Sequence, residues 1–240
     1  MKKPLLLSFL LLVTVVVAPA VKGQDCGLYY DLRKGGVYEL TAYDNHDQLT
    51  GRIMQEVRQA KTSKGKTTAV IHQQVTDKKG KAGSSSDYTV ECEAGVVRLD
   101  MRTMLSPQMT LGSPQNTMQA EVTGDFLELP AVLKPGTQLK NGSMTAVLRD
   151  EKSGVAISTT TINISNRHVE STETIKTAAG SFACTKVVQD MQVKVGIGGL
   201  AIPVNMRTAD WYAPGVGVVR SETYRKDKLM SYTLLTALPK

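Results

Sequence analysis

The chain has 240 residues, of which 41% are hydrophobic and only 5% aromatic, and its formal net charge is +7. That length suits one large β domain with a sizeable core, and the basic residues are scattered or sit in turn-like clusters such as Lys78-Lys79-Gly80-Lys81. A mild basic excess without an aromatic and basic stripe argues against nucleic acid as a partner, and no apolar run after the N-terminal one is long enough for a transmembrane segment in the mature chain.

The N-terminus reads Met1, Lys2, Lys3, Pro4, followed by an apolar run over residues 5–18 broken only by Ser8 and Thr14, and then Ala18-Pro19-Ala20. A positive start, a short apolar middle and a small-residue end are the three parts of a secretory signal. Residues 1–23 are therefore read as a cleaved signal peptide and residues 24–240 as a single β-barrel-like domain, exported to the periplasm or the extracellular space. Lys2, Lys3 and Lys22 leave with the signal, which lowers the net charge from +7 to +4.

An exported chain can form disulfides, and three cysteines, Cys26, Cys92 and Cys184, allow one bridge and leave one thiol over. Spacing does not choose among the three pairings. There is no Cys-x-x-Cys, and His46, His72 and His168 lie far from the cysteines in sequence, so a structural bridge or buried thiols are expected rather than a zinc or redox centre.

From Gly36 onward the pattern is strand, turn, strand. Extended runs are predicted over residues 37–43, 49–59, 67–76, 87–93, 96–101 and 144–149, then 156–165, 169–177, 184–195, 201–212, 216–225 and 228–237. In the run over 156–165, Ala156, Ile162 and Ile164 alternate with Thr159, Thr161 and Asn163, the period of a half-buried strand. Turn residues separate the runs: Asp44-Asn45-His46-Asp47, Glu93-Ala94-Gly95, Ala178-Ala179-Gly180 and Arg225-Lys226-Asp227. Asn166-Arg167, before His168, is read the same way. The expected fold is all-β, a strongly curved antiparallel sheet of about ten strands forming an open or closed barrel.

Two segments depart from this pattern. Met101, Met104, Met109 and Met118 fall close together among prolines and polar residues, where adaptable thioethers suit gap-filling or a ligand-facing lid. Gly196-Ile197-Gly198-Gly199-Leu200-Ala201-Ile202-Pro203 is apolar and rich in glycine, and no helix follows to make it a phosphate cradle. It reads as a hairpin whose apolar tip, if exposed, would meet a membrane or a partner.

No catalytic constellation is visible: there is no Gly-x-Ser-x-Gly elbow, and His46 among Asp44, Asn45 and Asp47 fits a polar turn better than a metal loop. No catalytic residue, metal ligand or cofactor is assigned. Acidic pairs such as Asp125 with Glu128 are common in any β protein of this size and carry no assignment.

Four stretches together carry a resemblance: Cys26-Gly27-Leu28-Tyr29-Tyr30; Gly36-Val37-Tyr38-Glu39-Leu40; Ala179-Gly180-Ser181-Phe182-Ala183-Cys184; and the run from Trp211-Tyr212-Ala213-Pro214-Gly215 through Val216-Gly217-Val218-Val219-Arg220-Ser221-Glu222. The chain resembles an exported bacterial β-protein family, the domain of unknown function 3108, over nearly its whole mature length. Arg220 stands where the family pattern favours lysine, a departure that keeps the charge. The resemblance implies a curved antiparallel sheet or open barrel and supplies no catalytic residues. Trp211 and Tyr212, at a strand end before a Pro-Gly turn, are expected to close one end of it.

The functional expectation is an exported, non-enzymatic barrel-like protein that binds a lipid or other apolar small molecule, with Met101, Met104, Met109, Trp211 and Tyr212 as candidate ligand contacts. The rival expectations are an assembly factor that binds another envelope protein and, as the weakest, a hydrolase of envelope polymers.

Overall fold

The computed structural model describes residues 31–103, 118–197 and 200–239. They form one antiparallel sheet of thirteen strands: β1 Val37–Asp44, β2 Leu49–Ser63, β3 Lys66–Asp77, β4 Ala82–Glu93, β5 Val96–Asp100, β6 Met118–Gly124, β7 Phe126–Leu129, β8 Gly142–Asp150, β9 Ala156–Thr177, β10 Gly180–Ile197, β11 Leu200–Ala213, β12 Gly217–Arg225 and β13 Lys228–Ala237. The strand order is β6-β8-β9-β10-β11-β12-β13-β1-β2-β3-β4-β5-β7. The all-β expectation holds, with thirteen strands where about ten were expected. No helix among the described residues is long and apolar enough to cross a membrane.

Turn chemistry sets the hairpins. Asp44 Oδ1 accepts the backbone N–H of His46 at 2.8 Å and of Gln48 at 3.0 Å, which accounts for the polar cluster around His46 as a turn. Asp77 repeats the device with Lys79 and Lys81 at 2.8 and 2.9 Å. Ala94 and Gly95, with φ of 50° and 77°, make the two-residue connection between β4 and β5, whose left-handed backbone matches the twist of the flanking strands.

Two elements differ from the sequence expectation. Asn166 and Arg167 do not end a strand. β9 runs straight through them, and because Ser165 pairs with Asp190 and His168 with Val188, both residues lie opposite Gln189 alone. Asn166 takes φ 53°, so a left-handed residue that could have made a turn makes a bulge instead. The second difference is β6 and β7, which were not predicted. They are consecutive in the chain yet occupy opposite edges of the sheet, and Asp125 alone separates them.

Asp125 is where the sheet closes on itself. Its N–H donates to Ser143 O at 2.8 Å, its Oδ2 accepts from Ser143 N at 2.9 Å, and its carbonyl accepts the Met101 N–H at 3.1 Å. One residue thus ties β8 to the end of β5. Beyond β7 the chain returns along β9, with Gly136 N–H donating to Val169 O, Val169 N–H to Thr137 O and Leu139 N–H to Arg167 O. The sheet is thereby a nearly closed barrel. Its largest buried cluster joins Val57, Ile71 and Val90 of β2 to β4 with Val169 and Val187 of β9 and β10, strands far apart in the sheet order that meet across the interior.

Cys92 is disulfide-bonded, whereas Cys184 is a buried free thiol whose titration burial pushes up to about 11. Cys26, the third cysteine, lies outside the described residues. Non-reducing peptide mapping is expected to recover a Cys92 peptide linked to the Cys26 peptide. Iodoacetamide at pH 8 should leave Cys184 unmodified in the folded protein and alkylate it fully in denaturant, because the reactive species is the thiolate. Rapid labelling of Cys184 in the folded state would contradict its burial.

Candidate functional site

Along β11 the side chains alternate, so Thr208, Asp210 and Tyr212 share one face while Ala209, Trp211 and Ala213 share the other. The first face points into the barrel. There it meets two adjoining cavities of about 250 and about 320 Å³, which share Gln55, Tyr88, Asp210, Val218 and Ser221 as lining. The smaller is walled by Tyr38, Leu40, Ile53 and Leu235, and the larger by Leu99, Leu127, Ile164 and Met191.

Polar groups meet where the cavities join. Ser221 lies directly across from Asp210 in the β11–β12 pair and donates its hydroxyl to Asp210 Oδ1 at 2.6 Å. Asp210 is half-buried and lines both cavities, and desolvation raises its carboxyl to about 6 against the opposing pull of Ser221 and Arg167. Arg167, turned inward at the β9 bulge and only 3% exposed, donates Nε to Gln189 Oε1 at 2.9 Å and Nη1 to Lys140 O at 2.6 Å and Glu128 O at 3.2 Å. Burial lowers its titration below the ordinary guanidinium range, opposed by Tyr212, Asp210 and Glu128 acting through space. Thr208 Oγ1, on a residue 9% exposed, is the one fully buried side-chain polar atom among the described residues that has no hydrogen-bond partner.

Asp210 makes stability depend on pH in a direction opposite to the usual salt-bridged carboxylate. Its folded titration, about 6, lies above its ordinary 3.8, so between those values the folded state holds a proton that the unfolded chain has released. The contribution is present in full below the unfolded value and is lost as pH rises through about 6. Asp210→Asn is therefore expected to exceed the parent by about 1–3 kcal/mol at pH 7.5, with the gap closing by pH 4 in urea unfolding. A gap that widens toward pH 4 would refute a raised carboxyl.

The candidate contacts named from sequence separate in three dimensions. Tyr212 lines the larger cavity. Trp211 faces the other way, 4% exposed, with its indole N–H donating to Glu173 Oε1 at 2.9 Å and with Lys186 and Arg220 over its ring at 5.0 and 5.5 Å. Arg220 and Glu222 form a contact of 2.5 Å with Glu222 buried. Met101 packs with Leu127, Met144 and Ile164, and its sulfur lies 2.8 Å from where a Cβ on Gly142 would stand. Met104 and Met109 lie outside the described residues. The interior polar group of Arg167, Thr208, Asp210 and Ser221 was not singled out from sequence, because polar positions in alternating strands read as solvent-facing.

One array has triad-like chemistry. His72 Nδ1 lies 2.5 Å from Asp87 Oδ1 and its Nε2 lies 3.4 Å from Ser85 Oγ, a consequence of the β3–β4 register that pairs His72 with Asp87. A nucleophile, base and acid need a cleft that excludes water and aimed N–H donors for an oxyanion. These three residues sit on the sheet's flank, with Asp87 exposed, and none of them lines the interior cavities. The array fits a cross-strand hydrogen-bond ladder.

The fold has solved counterparts. A Bacteroides fragilis NCTC 9343 protein with a YmcC-like fold, inferred to be exported, superposes with a TM-score of 0.65 at 24% identity, over 89% of this chain and 99% of that one. A Parabacteroides distasonis ATCC 8503 protein, inferred to be a lipoprotein, gives 0.68 at 23% identity over the same shares. No curated protein matches the chain. The model of one family, DUF3108-like, matches residues 33–235, most of the described sheet, and the chain belongs to that family.

Proposed function

We propose that this is an exported, non-enzymatic barrel whose interior holds a small amphipathic molecule. The observation that carries the reading is the pair of adjoining cavities, about 250 and about 320 Å³, with apolar walls and polar groups at their junction. Pockets of a few hundred Å³ with apolar lining and few convergent polar groups are the usual form of a small-molecule site. The export pattern over residues 1–23 and the exported and lipoprotein descriptions of the structural counterparts support an envelope location. Native mass spectrometry of the protein from its own host is the test: a co-purifying amphiphile is the expected result, and an empty chain that also fails to take up decanol would reject the reading. N-terminal sequencing should start after Ala20 or Gly23.

The β10–β11 hairpin favours a second reading, contact with another envelope protein. Ile197 pairs with Leu200 and Val195 with Ile202, so all four side chains share one face, and Ile197, Leu200 and Ile202 are 62%, 76% and 70% exposed. Lys194 is the one charged residue between Val193 and Val204, so the tip lacks the basic cluster that draws a peripheral protein to anionic lipid, which favours a protein as occupant. Leu200→Ser with Ile202→Ser is expected to leave stability within about 0.5 kcal/mol and to abolish crosslinks to envelope proteins in intact cells. Crosslinks unchanged by the double substitution would dismiss this reading.

A further inference from the structure

The wall of the larger cavity, beside its junction with the smaller, holds an arrangement that apolar packing does not explain. Arg167 is a buried guanidinium without a salt bridge to any described residue, and its Nη2 carries no hydrogen bond to one. Thr208 contributes a buried hydroxyl with no partner, on the wall of the same cavity. Burying a charge without a counter-ion, or a hydroxyl without a hydrogen-bond partner, is costly, so one of each on the wall of one cavity marks a place where a ligand supplies the missing acceptors.

We propose that this junction receives the anionic head group of an amphiphile, with Arg167 and Thr208 as its donors and the apolar cavity walls around its tail. The inference rests on the carrier reading above and adds the sign of the head. An anion fits better than a cation because guanidinium keeps its charge across the physiological range, whereas the one acid beside it already accepts from Ser221. Asp210 then sets the pH dependence. As the anion enters, the like charge disfavours ionised Asp210, so binding takes up a proton.

Among the described residues, the charged and titratable groups around Asp210 are few. Arg167 comes from β9, Tyr212 from β11, Tyr88 from β4 and Tyr38 from β1, and Asp31 borders the smaller cavity. Asp31 is held as carboxylate by Arg33 at 2.5 Å, and burial raises Tyr38, so neither changes charge between pH 5 and 7.5. Asp210, with its titration near 6, is the group placed to do so.

Three probes that share a tail and differ in head separate the possibilities: decanesulfonate, decanol and decyltrimethylammonium, titrated calorimetrically into the purified exported chain. Sulfonate stays ionised throughout, so any pH dependence belongs to the protein. Decanesulfonate is expected to bind at least about tenfold more tightly at pH 5 than at pH 7.5, and more tightly than decanol at pH 5. Asp210→Asn should remove the pH dependence and give at pH 7.5 the affinity that the parent shows at pH 5. Thr208→Val, which keeps shape while deleting the hydroxyl, should weaken decanesulfonate several-fold, leave decanol unchanged and raise the melting temperature of the empty protein. Decanol binding as tightly as decanesulfonate, or decyltrimethylammonium binding tightest, overturns the anionic head and leaves the carrier reading standing. Failure of all three probes overturns both.

Discussion

Arg167→Met is expected to lower the unfolding free energy by about 3–5 kcal/mol, measured by urea unfolding followed by far-UV circular dichroism. The guanidinium has no salt bridge to a described residue to lose, so the cost comes from what it satisfies. Glu128 O, Lys140 O and Gln189 Oε1 all accept from it in part-buried bonds, and an acceptor left without a donor there costs up to about 1–3 kcal/mol. Glu128 lies in β7 on one sheet edge, and Lys140 lies on the returning segment, so the substitution also loosens the place where the barrel closes. Asp210 loses the cation that helps keep it ionised. Adding Asp210→Asn to Arg167→Met should therefore recover more at pH 7.5 than Asp210→Asn gains in the parent, and little at pH 4. A gain at pH 7.5 equal to that in the parent, so that the two effects simply add, would mean that the two residues do not sense each other.

Trp211→Ala is expected to cost a similar amount, about 3–5 kcal/mol, and to leave the affinity for decanol unchanged. The residue lies in a cluster with Val188, Ala209 and Val219 on the face of β11 opposite Asp210, under Lys186 and Arg220. Truncation removes a large apolar area together with the cation–π contacts and the hydrogen bond to Glu173. Glu173 is exposed and regains water, so the loss is mainly one of packing. Trp211→Phe should cost about 1–2 kcal/mol, since most of the ring area survives. Because this is the chain's single tryptophan, unfolding has to be followed by circular dichroism instead of intrinsic fluorescence. A Trp211→Ala protein that keeps its stability and loses decanol would make the tryptophan a ligand contact.

The neighbouring Tyr212 shows how a period-two element divides a motif that reads as one unit in sequence. The side chains of Trp211 and Tyr212 point to opposite faces because successive positions of a strand do so. One meets charged stems and the other meets the cavity. That separation was available from spacing alone. What spacing could not supply was the environment of each face.

The same limit explains the elements that differed. Asn166 carries a left-handed preference that serves a turn or a bulge equally well, and only β10, running unbroken opposite it, makes it a bulge that turns Arg167 inward. β6 and β7 total eleven residues on either side of Asp125, too short and too close to the methionine- and proline-rich segment to show a period. Their role is visible only when Asp125 is seen bonded to Ser143 and Met101 at once.

By itself the sequence determined the local grammar of this protein: the alternating runs, the Asp- and Gly-based turns between them, antiparallel order through most of the sheet and the family to which the chain belongs. These follow from short-range chemistry, in which side chains choose backbone angles within a few residues. Tertiary structure decided which face became the inside. Alternation groups Thr208 with Asp210 and Tyr212 but assigns them to neither water nor core, and closure of the sheet through Asp125 turns that face inward. Polar residues that would be ordinary on an open sheet then become a half-buried acid, an arginine without a counter-ion among the described residues and an orphaned hydroxyl around a cavity, because burial removes the water that would otherwise have satisfied them.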